Sequence, residues 1–81
     1  MQILYFAWVR ERIGVPKDVL ATEANTVSEL VEELKGRAER YQIAFSDMSS
    51  IRVAVDQELA ELNTPLAGAQ EVAFFPPMTG G

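Results

Sequence analysis

The strongest constraint on the fold is where the apolar residues fall. The two most apolar runs, Ile3 to Val9 and Val72 to Phe75, lie at opposite ends of the chain. Runs without polar interruption are the pattern of strands covered on both faces, so both belong near the centre of one sheet, and the long excursion between them permits parallel pairing. That excursion holds one clear helix. It opens on a capping box, Thr26-Val27-Ser28-Glu29, in which the threonine oxygen accepts from one orphan amide and the glutamate reaches back to another. Val27, Leu30, Val31, Leu34, Ala38 and Tyr41 follow at helical spacing and form a single apolar stripe. Glu33 and Arg37 are spaced to pair at i, i+4, and Gly36 inside the stripe has no evident purpose.

The other elements follow from alternation and turn chemistry. The first strand is expected over Gln2 to Val9, with Ile3, Tyr5 and Ala7 on one face and Leu4, Phe6 and Trp8 on the other. Arg10 to Gly14 form a short helical turn and break, and Asp18 to Thr22 a weaker second strand. Ile51 to Val55 alternate as a third strand, which turns near Asp56-Gln57-Glu58 into a short return through Leu59. Glu71 to Phe75 are the final strand, ended by Pro76 and Pro77, which carry no amide donor. The predicted architecture is α+β, a mixed sheet of about five strands with one main helix packed across one face. Val72 and Phe74 join Ile3, Tyr5, Val53 and Val55 under the helix, leaving Phe6 and Phe75 on the opposite face with Leu59 nearby.

Composition narrows the chemistry. A chain of 81 residues is one domain, and 48% hydrophobic with 23% charged residues is an ordinary globular balance. There is no cysteine and no histidine, which excludes disulfides, thiolate zinc sites, a thiol nucleophile and a histidine base. A net charge of −5 without a Lys/Arg cluster argues against nucleic acid as a partner. The acidity suits either steering toward a basic protein or plain solubility. The N-terminal apolar run is too short to span a bilayer and follows no basic residue, so a cytoplasmic protein without a membrane helix or signal peptide is expected.

Glu32/Glu33 and Glu58/Glu61 are carboxylate pairs on solvated surfaces, and no strand is followed by a glycine-rich phosphate loop. No metal-ligating set exists. The remaining candidate for chemistry is the carboxylate of Gly81. Gly80 and Gly81 lack side chains, so a tail ending in them can lie extended in a narrow channel; the bland alternative is an ordinary frayed end. An ionised carboxylate is a poor electrophile and must first be activated by another protein, most economically as an acyl adenylate. Sulfide delivered to that carbon leaves a thiocarboxylate. The chain thus divides into a body, residues 1–77, and a flexible Gly-Gly tail, residues 78–81.

The ending Phe74-Phe75-Pro76-Pro77-Met78-Thr79-Gly80-Gly81 and the opening Leu4-Tyr5-Phe6-Ala7-Trp8-Val9-Arg10-Glu11 closely resemble the small, sulfur-carrying subunits of molybdopterin synthase. The resemblance runs the whole chain. It implies the ubiquitin-like β-grasp fold, with Gly81 as the adenylated and then sulfur-bearing group. Met78, Thr79 and Gly80 would enter the partner's active site, and Phe6, Leu59 and Phe75 would form a partner-facing patch. The implied partners are an adenylating enzyme related to ubiquitin activators, which uses ATP, a sulfur-donor protein, and the large synthase subunit in a heterotetramer. There the tail would supply the dithiolene sulfurs of molybdopterin to a cyclic pyranopterin monophosphate. The carrier itself would bind no cofactor or metal. Two positions depart from the family pattern: Gly68-Ala69-Gln70-Glu71 replaces a usual Gly-Asp-Glu run, and Asp56 stands where Asn is common. The competing readings are a sulfur carrier for thiazole or tRNA thiolation, a protein-conjugating modifier, and a β-grasp interaction module with an incidental Gly-Gly.

Overall fold

The computed structural model describes residues 1–77. Five strands, β1 (Gln2–Tyr5), β2 (Lys17–Val19), β3 (Arg52–Val55), β4 (Glu58–Ala60) and β5 (Glu71–Phe75), form one sheet in the order β2-β1-β5-β3-β4. The first and last strands are central and parallel, with Ile3 opposite Val72 and Tyr5 opposite Phe74; the other pairings are antiparallel. This is the mixed sheet expected from the two apolar runs. Helices α1 (Ala7–Ile13), α2 (Val27–Lys35) and α3 (Glu39–Ala44) and a 3₁₀ turn (Met48–Ser50) complete the chain.

The core lies between the sheet and the helices. Ile3, Tyr5, Val53, Val72 and Phe74 are buried from the sheet side, and Val27, Leu30, Val31, Leu34, Tyr41 and Phe45 from the helical side. Val55 is partly buried against the same cluster. Phe45 meets Phe74 edge to face at 5.0 Å, and Tyr5 lies parallel to Phe74 at 6.4 Å, geometries that add to plain area burial. Asp18 on β2 points into this layer and accepts hydrogen bonds from Tyr5 Oη at 2.9 Å and Tyr41 Oη at 2.7 Å. One carboxylate oxygen thus satisfies two hydroxyls that burial would otherwise strand.

Three local expectations need correction. The first strand ends at Tyr5, and Ala7, Trp8 and Val9 are helical. Ala7 takes a φ of +51°, which turns the chain off the strand direction at once, and the Val9 and Arg10 amides donate to the Phe6 carbonyl. Val9 and Ile13 are buried at i, i+4 spacing, while Trp8 lies under the Arg12 guanidinium at 4.5 Å instead of on the sheet. Second, β2 covers Lys17–Val19 and stops short of Thr22. Third, the apolar stripe from Val27 to Tyr41 belongs to two helices. The amide of Gly36 closes α2 on the Glu32 and Glu33 carbonyls, and Ala38, at φ −167° and ψ 160°, is extended before α3 starts. The chain therefore turns after Gly36. Arg37 consequently leaves the helical register with Glu33 and approaches Asp18 at 3.9 Å, while Glu33 accepts from the Thr22 hydroxyl. The threonine half of the capping box is formed, with Thr26 Oγ1 accepting from Glu29 N at 3.3 Å, while the glutamate carboxylate takes the Asn25 amide, one residue before the cap.

Asp56 has a structural reason. It and Gln57 hold φ values of +48° and +71°, the two-residue hairpin geometry that tolerates Asp and Asn. Its Oδ1 also accepts from the Gln70 and Glu71 amides, each at 3.0 Å. The β3–β4 turn is thereby tied to the start of β5.

Candidate functional site

The helices cover one face of the sheet and leave the other open. Period-2 alternation places Leu4, Ala73, Phe75, Ala54 and Leu59 on that open face, because Ile3, Tyr5, Val72, Phe74 and Val53 take the covered one. The register aligns Leu4, Ala73, Ala54 and Leu59 in one row across β1, β5, β3 and β4. Phe75 lies opposite Arg52, one pleat nearer the end of β5. Phe6 comes one step after the Tyr5–Phe74 pair, and its amide donates to the Phe74 carbonyl at 3.1 Å. The parallel ladder thus continues through Phe6 and sets it beside Phe75.

Of the three residues expected to form a patch, Phe6 and Phe75 are brought together, and Leu59 stands apart. Adjacent strands are roughly 4.8 Å apart, so Leu59 lies about 10 Å from the β5 axis with β3 between. Ala54 and Ala73 fill that gap with single methyl groups, giving a shallow apolar trough between Leu59 on one side and Leu4 with the two phenylalanines on the other. Phe6 is 45% exposed and Leu59 75%. A residue as open as Leu59 contributes little to a second core on this face. Phe75 is half-buried and Ala73 only 8% exposed. Leu4, Ala54 and Ala73 escaped the sequence reading as patch members. The signal for them was cross-strand register, which a single strand's alternation does not contain.

β5 is paired with β1 as far as Phe74 and with β3 up to its last residue, Phe75. The tail is therefore rooted on a strand held as firmly as any in the sheet. Met78, Thr79, Gly80 and Gly81, expected to carry the chemistry, lie outside the described residues. Elsewhere, surface depressions are lined by Ala21, Thr22, Glu23, Ala24, Glu29 and Glu33, and by Gln2, Asp56, Gln57, Gly68, Gln70 and Glu71. There Glu33 accepts from the Thr22 hydroxyl, Glu29 from the Asn25 amide, and Asp56 from the Gln70 and Glu71 amides. Among the described residues no helix is long and apolar enough to cross a membrane.

Comparison with known proteins agrees with this architecture. The molybdopterin synthase sulfur carrier subunit of Escherichia coli K12 is 37% identical over 81 residues, covering all of this chain and 99% of the relative. The protein of the same name from Haemophilus influenzae is 33% identical over 81 residues, with the same coverage. Among solved structures, SAMP1 from Haloferax volcanii superposes with a TM-score of 0.75 at 25% identity, over 100% of this chain and 98% of that one. The model of the ThiS family matches residues 3–81. With fold and length shared, this chain belongs to the ThiS family of ubiquitin-like β-grasp proteins and is similar throughout to molybdopterin synthase sulfur carrier subunits.

Proposed function

We propose that this chain is the sulfur carrier of a molybdopterin synthase and works in molybdenum cofactor biosynthesis. The observation that carries the reading is the end-to-end similarity to relatives named for that role, at 37% and 33% identity, with Gly80-Gly81 closing the sequence. The fold supports it. A body whose last strand is central can present a terminal segment at a fixed place beside the open apolar face.

In this reading an adenylating enzyme consumes ATP and joins the Gly81 carboxylate to AMP, releasing pyrophosphate. A sulfur donor then displaces AMP, leaving a C-terminal thiocarboxylate. Phe6, Phe75 and Leu59 dock on the large synthase subunit, and Met78, Thr79 and Gly80 lead the thiocarboxylate into its active site. Docking is needed energetically, because ordering four tail residues costs about 4 to 8 kcal/mol at roughly 1 to 2 per residue. Three apolar side chains at roughly 1.5 to 3 kcal/mol each are of matching size. The carrier supplies the reactive terminus, its partners supply the catalytic side chains, and the body needs neither metal nor cofactor.

The test is the intact mass of the chain after incubation with the adenylating enzyme, ATP and a sulfur source. The expected result is a gain equal to exchange of one oxygen for one sulfur, absent when Gly81 is deleted. An unchanged mass with a demonstrably active enzyme would overturn the reading in favour of an interaction module, and higher-mass conjugates on lysines would favour a modifier.

A further inference from the structure

Each residue of an extended strand turns its amide and carbonyl toward one neighbour, and the next residue turns them toward the other. Along β5 and the residue before it, the even positions face β1: the Gln2 amide donates to the Gln70 carbonyl at 2.9 Å and the Phe6 amide to the Phe74 carbonyl at 3.1 Å. The odd positions face β3, where the Asp56 amide donates to the Glu71 carbonyl at 2.8 Å and the register runs on to Arg52 opposite Phe75. Position 76 therefore faces β1 and position 77 faces β3. Both are proline, which has no amide to donate.

In a parallel ladder the Phe6 carbonyl would receive the amide of residue 76, as the Phe6 amide donates to Phe74. That carbonyl instead accepts from the Val9 amide at 3.1 Å and the Arg10 amide at 3.3 Å, the first bonds of α1. A carbonyl oxygen has two lone pairs, so both are in use. On the other side, the next bonded pair after Arg52 and Phe75 would join Ser50 to Pro77. The Ser50 amide instead donates to the Asp47 carbonyl at 3.1 Å, within the 3₁₀ turn. Both neighbours thus leave β5 at one level, and each departure is matched by a proline on the side it leaves. A residue before proline is held extended, so Phe75 and Pro76 keep the strand's direction for roughly 6 Å past the last pair, at about 3.1 Å per residue.

We propose that Pro76 and Pro77 are positioning residues: one on each side, they release the chain from both neighbours of β5, so that residues 78–81 start clear of the sheet and are delivered to a partner's site. The delivery rests on the sulfur-carrier reading; the release rests on the hydrogen bonds alone. With an amide at position 76, the start of α1 and an extended β5 would compete for the Phe6 carbonyl. With freely rotating residues at both positions, a partner would have to order six terminal residues instead of four. The prolines withhold that freedom before the encounter, which favours binding by preorganisation.

Two measurements on the full chain test the two halves. Pro76→Ala adds an amide at that position. In amide hydrogen exchange the new amide should exchange about tenfold or more slowly than in an unstructured peptide, and the Val9 and Arg10 amides faster than in the parent, because one oxygen cannot hold three donors. A new amide exchanging at the unstructured rate, with Val9 and Arg10 unchanged, would overturn the release. Thiocarboxylate formation is then followed by intact mass at increasing carrier concentration, with the adenylating enzyme, ATP and a sulfur source. The double change Pro76→Ala and Pro77→Ala should raise KM about 4- to 30-fold and leave kcat within about twofold, as lost preorganisation in binding does. A purely structural stop predicts the parent's KM at an unchanged urea midpoint, and that result would overturn the positioning role. A parent chain that gains no sulfur from a demonstrably active enzyme would overturn the delivery together with the sulfur-carrier reading, while the exchange measurement still decides the release.

Discussion

At the scale of single residues, two glycines show how differently the same residue type is used. Gly14 ends α1 at φ +95° with its amide on the Arg10 carbonyl, a left-handed cap that an L side chain resists by about 1 to 2 kcal/mol. Gly36 ends α2 at an ordinary φ of −75°, and a β carbon there would meet the Glu33 carbonyl at 3.4 Å and the Glu32 carbonyl at 3.8 Å, both ordinary contacts. Gly14→Ala should therefore lower stability by about 1 to 2 kcal/mol in urea unfolding. Gly36→Ala should leave it unchanged or raise it by up to about 1 kcal/mol, through a less flexible unfolded chain. Tyr5 gives a second prediction. Burial, and then its bond to Asp18, push its hydroxyl well above the ordinary tyrosine value of 10.0, and Tyr41 is raised for the same reasons. The folded state thus keeps protons that the unfolded chain gives up, so the tyrosines' contribution to stability is flat below about pH 10 and falls as pH rises beyond it. Thermal unfolding of Tyr5→Phe should show a shallower alkaline decline than the parent, with Tyr41 supplying the remainder.

At the scale of elements, what the chain spells locally and what it builds diverge where one pattern serves two structures. Ala7, Trp8 and Val9 continue an apolar run, so alternation extends β1 through them. The competing evidence, Val9 and Ile13 four apart and Gly14 as a stop, was in the sequence too, but local pattern could not weigh it against the strand. The break after Gly36 was hidden in the same way: Ala38 and Tyr41 keep helical phase with Val27 although the axis changes. By contrast, the capping box and the proline stop after β5 were legible because each is completed within a few residues. The open face yields a prediction at this scale. Phe75 is half-buried on a central strand and Leu59 is 75% exposed on an edge strand. In calorimetric titration with the large synthase subunit, Phe75→Asp should weaken binding by about tenfold or more, the equivalent of one buried apolar side chain. Leu59→Asp should leave folding stability within about 0.5 kcal/mol of the parent, as exposed substitutions do.

At the scale of the whole molecule, strand order decides which parts are firm. β1 and β5 are flanked on both sides, while β2 and β4 are three-residue edges. Native-state hydrogen exchange should find the amides of Ile3, Val72 and Phe74 opening only with global unfolding, and edge-strand amides exchanging through smaller fluctuations; uniform protection across the sheet would contradict this. The sequence by itself determined the class of fold, the two central strands and the main helix start. These follow from composition and from short periods, which act between neighbours in the chain. Only the tertiary structure decided that Arg37 turns to Asp18, that one carboxylate serves two tyrosines, and that two alanines form a trough between Leu59 and Phe75. Those are distances between segments far apart in sequence. They are fixed by strand register and by the burial that register permits, which local pattern does not encode.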